Sequence, residues 1–193
     1  MTGLVLAAGG SQRLGRPKQL LPYRGGTVLG AVLDAARSCG FEQLLVALGG
    51  ASAKVREQVD LTGCTTVENP AYGSGCSSSI AAAVPAVAPE SEVLVLLLGD
   101  QPGVTADTVD LLLRGRNDGP MAVCRYQDGV GQPFAFGREM LPVLGGLHGD
   151  KAVWRLLSEL SDRVAEVAVP GPVPGDVDTE EDYRRLLNSE AAS

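Results

Sequence analysis

Short apolar runs alternate along this chain with longer stretches in which apolar residues recur at three- and four-residue spacing. The runs predict strands over 4–6, 43–48, 65–67 and 93–98, and the periodic stretches predict helices over 28–37, 52–59 and 77–87. Val28, Leu29, Val32 and Leu33 fall on one face of the first helix, with Thr27 placed to cap it. Strand and helix in alternation point to a parallel sheet with right-handed crossovers. The run VLVLLL at 93–98 has no polar alternation, so both its faces are covered and it belongs in the middle of that parallel sheet. Beyond residue 119 the pattern loosens, predicting strands over 121–125, 132–136 and 164–169 and helices over 150–160 and 179–187. The expected fold is α/β, with a mostly parallel sheet that binds ligands outside the carboxyl ends of its strands.

The end of the first strand carries the clearest chemistry. An apolar run, residues 3–6, leads directly into AAGGSQRLGRPK. Small residues after a strand let the backbone approach a ligand, so that successive N–H groups can face phosphate oxygens, and Arg13 and Lys18 supply counter-charge. Two familiar phosphate loops fail on spacing. Gly9, Gly10 and Gly15 are out of register for G-x-G-x-x-G, and the Gly10–Gly15 separation is followed by Arg16 and Pro17 where a Walker loop needs Lys and a hydroxyl. The segment is either a third kind of phosphate loop or a surface turn after an edge strand.

Composition narrows the partners. At 193 residues the chain fits one domain with a proper core, and with aromatics at only 4% that core is built from Leu, Val and Ala. A net charge of −7 argues against nucleic acid or an anionic membrane, so a basic cluster at 13–18 suggests a small anionic ligand. The four cysteines are scattered, with no C-x-x-C pair, so neither zinc nor a disulfide framework is expected and a reduced, cytoplasmic setting is. No basic, apolar leader with a cleavage site precedes the first strand, and residues 93–98 are too few to span a bilayer. A Ser-His-Asp or Cys-His hydrolase would have to use the single His148, and no G-x-S-x-G elbow is present.

Acidic residues stand where the fold places ligands. Asp100 follows the central strand in LLLGDQPGV and either holds a metal at the mouth of the sheet or makes an Asx turn before Pro102. In GDVDTEEDY, Asp176 or Asp178 offers a second carboxylate, with Asp178 preferred, unless Asp178 caps the last helix. The preceding PGPVPGD stretch, 170–176, is too short for a domain linker and is expected to deliver these residues to a fixed place. One phosphate loop plus two carboxylates suits Mg²⁺, which takes one or two protein carboxylates and leaves its other positions to water and substrate phosphates. That is a nucleotide-transfer site, where catalysis is mainly positioning and electrostatics and no protein nucleophile is needed. A third segment, ENPAYGSGCSSSIAAAV at 68–84, opens a helix: its glycines and serines suit ribose or base recognition, or an ordinary serine cap.

These residues resemble the MobA-like nucleotidyltransferases, and within them the molybdenum cofactor cytidylyltransferases, over nearly the whole chain. The family's L-A-A-G-x-S-x-R-M-G-x-x-K is matched over 6–18 with Leu14 for Met, and N-P-x-x-x-x-G-M-x-x-S-L over 69–80 with Cys76 and Ile80 substituted. D-Q-P, G-x-P-x-x-F and D-x-D-T-x-E-D follow in order at 100–102, 131–136 and 176–182. The resemblance implies a Rossmann-like, three-layer α/β/α fold of the nucleotide-diphospho-sugar transferase type. It implies one domain of residues 1–193, in which residues 1–118 bind nucleotide and residues 119–193 bind the acceptor. It further implies transfer of a nucleotidyl group from a nucleoside triphosphate to a phosphorylated small-molecule acceptor, with Mg²⁺ as cofactor and release of pyrophosphate. Carried over residue by residue, Leu6, Ala7, Ala8, Gly9, Gly10, Ser11, Arg13, Lys18, Asn69, Gly75 and Ser79 bind the nucleotide. Arg13, Lys18 and Asp100 are catalytic, and Asp100 and Asp178 hold the metal. Ala7 and Ala8 resemble the CTP-using branch, which makes molybdopterin the expected acceptor and a molybdoenzyme or its chaperone the recipient.

One segment departs from that pattern. Where the cytidylyltransferases carry G-D-x-G-A-R, this chain reads GDKAVWRLL from Gly149, with Ala152, Val153 and Trp154 in place of the small pair. The spacing of Trp154 from Leu157 assigns it to helix packing; a place in the pocket wall would open the acceptor beyond molybdopterin. Two other functions share the same features: a sibling transferase using another triphosphate or a sugar or polyol phosphate, and a nucleotide- or cofactor-binding delivery module that transfers nothing.

Overall fold

The protein is described by a computed structural model covering residues 1–11 and 13–191. The strands are β1 (Thr2–Ala7), β2 (Pro22–Tyr23), β3 (Gly26–Thr27), β4 (Gln43–Leu48), β5 (Thr65–Glu68), β6 (Val93–Leu98), β7 (Met121–Arg125), β8 (Val130–Gly137) and β9 (Val164–Ala168). The helices are α1 (Val28–Ser38), α2 (Ser52–Gln58), α3 (Cys76–Ala83), α4 (Ala106–Arg116), α5 (Leu141–Gly145), α6 (Ala152–Glu159) and α7 (Glu180–Ala191). Among the described residues, seven strands form one sheet in the order β5-β4-β1-β6-β8-β7-β9, while β2 and β3 pair as a small hairpin.

The sheet is mostly parallel, as the pattern predicts. Pairings of β1 with β4 and β6, β4 with β5, and β7 with β9 run parallel, whereas β8 is antiparallel to both β6 and β7. The expectation for 93–98 is therefore corrected on one side. The run does lie mid-sheet with both faces covered, but its second neighbour is antiparallel. The reason lies in the connections: β7 follows β6 through α4 and runs the same way, while β8 returns from β7 by a tight turn in which Tyr126 N–H bonds the Gly129 carbonyl, a connection so short that it permits only antiparallel pairing, and inserts between the two.

Alternation along the strands divides the core in two. Val5, Val46 and Val95 point to one face and pack with Leu29 and Leu33 of α1, Val55 of α2 and Leu112 of α4. Leu4, Leu45 and Leu96 point to the other and pack with Ile80 of α3, Leu144 of α5 and Leu156 of α6. This is the three-layer α/β/α arrangement. Thr27 caps α1, accepting from Gly30 N–H at 3.0 Å. The predicted 77–87 helix closes early, since Pro85 cannot continue the bonding and residues Val84–Ala86 tighten into a 3₁₀ turn. Helix α4 escapes the pattern reading because its buried side is narrow, only Thr108, Val109 and Leu112, although Thr105 caps it from Thr108 N–H. No helix among the described residues is long and apolar enough to cross a membrane.

A third, smaller cluster joins the chain's ends. Tyr23 and Val28 pack with Val177 and Tyr183, and the Tyr183 hydroxyl donates to the Pro22 carbonyl at 2.6 Å. The 170–178 segment is thereby held beside the first loop.

Candidate active site

Strands β1 and β6 lie side by side, and their connections leave in opposite directions: β1 is followed across the sheet by β4 and β5, and β6 leads toward β8. That reversal opens a crevice at their carboxyl ends. A cavity of about 750 Å³ occupies it, walled on one side by residues 6–11 and on the other by Phe134 and Trp154.

Three segments distant in sequence meet at its floor. The Lys18 ammonium donates to Asp100 in a short contact and to Asp178 Oδ1 at 2.8 Å, while Arg13 donates to Asp178 Oδ2 at 2.8 Å. Asp100 is 8% exposed. Its carboxyl is pushed above the ordinary range by burial, against the pull of Lys18. Burial works to lower the Lys18 pKa, but Asp100 first and then Asp178 outweigh it and hold it above the usual value. Asp178 is held below the usual carboxylate range by its bond from Lys18, against partial burial and with help from Arg13.

The two competing uses of the carboxylates are resolved by geometry. Thr179, not Asp178, caps α7: its hydroxyl accepts from Asp182 N–H at 3.2 Å, and Asp182 reciprocates by accepting from Thr179 N–H at 2.8 Å. Asp178 is left to face the cavity. Asp176 lines it as well, since residues two apart on extended chain share a side and the intervening Val177 is buried. The segment is pinned as expected, with Val177 N–H bonding the Asp100 carbonyl at 3.2 Å and the Gln101 amide donating to the Pro174 carbonyl. Asp100 spends its carboxylate on Lys18.

The first loop is shaped by its own side chains. Ser11 sits at φ +48°, its carbonyl accepts from Leu14 and Gly15, and its hydroxyl accepts from Lys18 N–H at 2.9 Å. Buried Gln19 donates to the Ala7 and Gly9 carbonyls at 2.8 and 3.0 Å, holding the loop closed. Sequence reasoning passed over Gln19; its only signal was its place beside Lys18.

Leu6, Ala7, Ala8, Gly9, Gly10, Ser11, Arg13, Lys18, Gly75, Ser79, Asp100 and Asp178 all line the cavity, so the fold does bring these predicted residues together. Asn69 is the exception. It is 3% exposed, and its side chain is consumed inside the 68–79 turn, donating to Ser78 and Ser79 at 2.9 Å each and accepting from Ala71 N–H at 3.0 Å. Its work is to brace the start of α3. Gly75 has φ +103°, and a Cβ there would lie 2.5 Å from Asp150 Oδ1, because Asp150 reaches across to accept from Cys76 N–H at 3.2 Å.

Trp154 also departs from expectation. The buried stripe of α6 is Ala152, Val153, Leu156 and Leu157, whereas Trp154 is 44% exposed and lines the cavity. One helical position decides this, since Trp154 falls just off the stripe that packs on the sheet.

The two carboxylates suit a hard cation. An oxygen of each already converges on one positive charge, the Lys18 ammonium, and oxygen donors are what magnesium or manganese accepts.

Comparison with known proteins places the chain in a family. The sequence profile of the MobA-like NTP transferase domain matches residues 3–164. Nicotine blue oxidoreductase of Paenarthrobacter nicotinovorans is 31% identical, across 97% of this chain and 96% of its own. Molybdenum cofactor cytidylyltransferase of Escherichia coli K12 is 31% identical over 72% of this chain and 70% of its own. Among solved structures, Rv0371c from Mycobacterium tuberculosis H37Rv superposes with a TM-score of 0.91 at 50% identity, covering 97% of each chain. A second structure of Rv0371c, in complex with manganese, gives a TM-score of 0.86 at 48% identity over 97% of this chain and 98% of that one.

Proposed function

The chain belongs to the MobA-like NTP transferase family, and from that premise we propose that it moves CMP from CTP to a phosphorylated acceptor of the molybdopterin class, releasing pyrophosphate. The observation that carries this reading is the convergence of Lys18, Asp100 and Asp178 beneath a small-residue loop at the switch point of the sheet. An acceptor phosphate oxygen attacks the α-phosphorus of CTP; the bond from that phosphorus to the bridging oxygen breaks, and its electrons leave with pyrophosphate.

Each residue has a task in that step. The 8–18 loop cradles the triphosphate with its backbone, and the Lys18 ammonium moves from its carboxylates onto the phosphates, offsetting the charge that grows on the leaving group. Arg13, at the exposed edge, takes the outer phosphate oxygens. Asp100 and Asp178 hold Mg²⁺, which when bound supplies charge neutralisation at the phosphates. Gly75 and Ser79 contact the nucleoside, while Asn69 acts from behind by fixing the turn that carries them. Ala7 and Ala8 leave room at the loop for cytosine. Residues 1–118 serve the donor and 119–193 the acceptor within one domain, and a molybdoenzyme or its chaperone takes the product.

A second reading is favoured by two specific observations. Trp154 in the cavity wall departs from the cytidylyltransferase pattern, and nicotine blue oxidoreductase is similar along nearly the whole chain. A sibling activity on another acceptor, or a nucleotide-binding module without transfer, would keep the same phosphate loop. Calorimetric titration of CTP, GTP, ATP and UTP, with and without Mg²⁺ or Mn²⁺, tests the donor. Metal-dependent binding led by CTP supports cytidylyl transfer. Another base in the lead moves the reading to a sibling, and no binding of any triphosphate sinks it. Pyrophosphate release on adding a phosphorylated acceptor separates a transferase from a delivery module.

A further inference from the structure

The acceptor side of the cavity carries a feature that phosphate chemistry leaves unused. Trp154 is a large aromatic side chain left nearly half exposed in a chain where aromatics are scarce. It is not loose. Its ring meets that of Phe134 edge to face, with centroids 5.0 Å apart and planes at 88°. Phe134 is fully buried, fixed on β8 between Leu96 of β6 and Val123 of β7. Val153, its neighbour on α6, is buried in the core and anchors the helix that carries it. A rigid aromatic of this kind binds at small entropic cost, because its position is set before the ligand arrives. Beside it, Lys151 lines the same cavity and offers a positive charge.

We propose that Trp154 is the specificity-determining residue for the acceptor, selecting one whose phosphate is attached to a planar, conjugated body over one with a puckered or acyclic body. The inference rests on the nucleotidyltransferase reading and deepens it. A planar ring gains stacking against an indole that a saturated ring of equal size does not, while both present the same phosphate to Lys151 and the reacting centre. A sugar lays only a C–H face on this wall and leaves its hydroxyls needing hydrogen-bonding side chains, and an acyclic polyol gains least from it.

The chain has a single tryptophan, so ¹⁵N-labelled protein gives one indole N–H signal, which reports on this residue alone. Phenyl phosphate and cyclohexyl phosphate form the matched pair of probes. Each is titrated with the phosphate loop filled by the α,β-methylene analogue of whichever triphosphate binds best. The indole signal moves with phenyl phosphate, which binds about three- to tenfold more tightly than cyclohexyl phosphate. That ratio falls to about one in Trp154→Leu and persists in Trp154→Phe. Equal affinity for the two probes, an unmoved indole signal, or a preference that survives in Trp154→Leu would overturn the proposal while leaving the nucleotide reading intact. Failure of every triphosphate to bind the wild-type protein would remove the nucleotide reading and this proposal with it.

Discussion

Removing the Lys18 ammonium is the sharpest perturbation of this site. Its side chain is 15% exposed and bonds the carboxylate side chains of Asp100 and Asp178, which taken without their backbone are 12% and 33% exposed. Lys18→Met leaves Asp100 buried without its partner, and breaking a buried pair from one side costs about 3–5 kcal/mol. Asp178 can turn to water and to Arg13, which places the expected loss at the lower end, about 3 kcal/mol. For a chain of this size that lowers the melting temperature by about 6–12 °C. Asp100→Asn keeps the shape and leaves Lys18 with Asp178, so its cost is smaller, about 1–2 kcal/mol. In the double variant neither charge is stranded, and the two losses should fall short of additivity by about 1–3 kcal/mol. Urea unfolding of the four proteins, followed by circular dichroism, measures this coupling. Added Mn²⁺ should restore some of the stability of Lys18→Met, where two carboxylates remain for it, and little in the double variant. Additivity within about 0.5 kcal/mol would refute the claim that these charges act as a unit.

Other residues give independent checks. Asp100→Asn should lower turnover by roughly 10²-fold or more, as loss of a preorganised electrostatic group does, and unchanged turnover would take it out of the site. Gly75→Ala places a side chain at φ +103° against Asp150 and should cost about 1–3 kcal/mol in thermal unfolding; an unshifted transition would show that the 148–151 loop yields freely. Asp182 is held below its ordinary 3.8 chiefly by the Thr179 hydroxyl, so its contribution is present above that value and lost as pH falls through the lowered one. Asp182→Asn should flatten the acid limb of the stability curve, and a limb as steep as wild type would assign it to other carboxylates. Burial first, then Asp150 and Asp100, push the Cys76 thiol up to about 11. Its alkylation by iodoacetamide, followed by peptide mapping, should be slow at neutral pH and still rising above about pH 9; a plateau below that would contradict this.

Much of the candidate site's lining could be read from the chain because its chemistry is local. A small-residue loop after a strand, with Arg13 and Lys18 behind it, gathers its backbone and two cations within a few residues, and Asp100 at the end of an all-apolar strand could only emerge at the mouth of the sheet. The place of Asn69 was not legible for the opposite reason. An amide in a glycine- and serine-rich turn looks the same whether it faces a nucleotide or ties Ser78 and Ser79 to the chain, and only the packed turn distinguishes them. Helix α4 was missed because burial of just three residues leaves too weak a stripe.

The amino-acid sequence by itself determined the alternation of strands and helices, the two-faced core, the small-residue loop with its two cations and the membership of both acidic segments in one cavity. Those follow from periodicity and from residues that act on their neighbours. Tertiary structure decided the rest: that β8 runs against β6, that Thr179 rather than Asp178 caps the last helix, and that Lys18 bridges two carboxylates 82 and 160 residues away. It also decided that Trp154 stands in the cavity wall. A helix turned by one residue, about 100°, would have brought that ring onto the buried stripe, and only the packing of α6 on the sheet sets where the stripe ends.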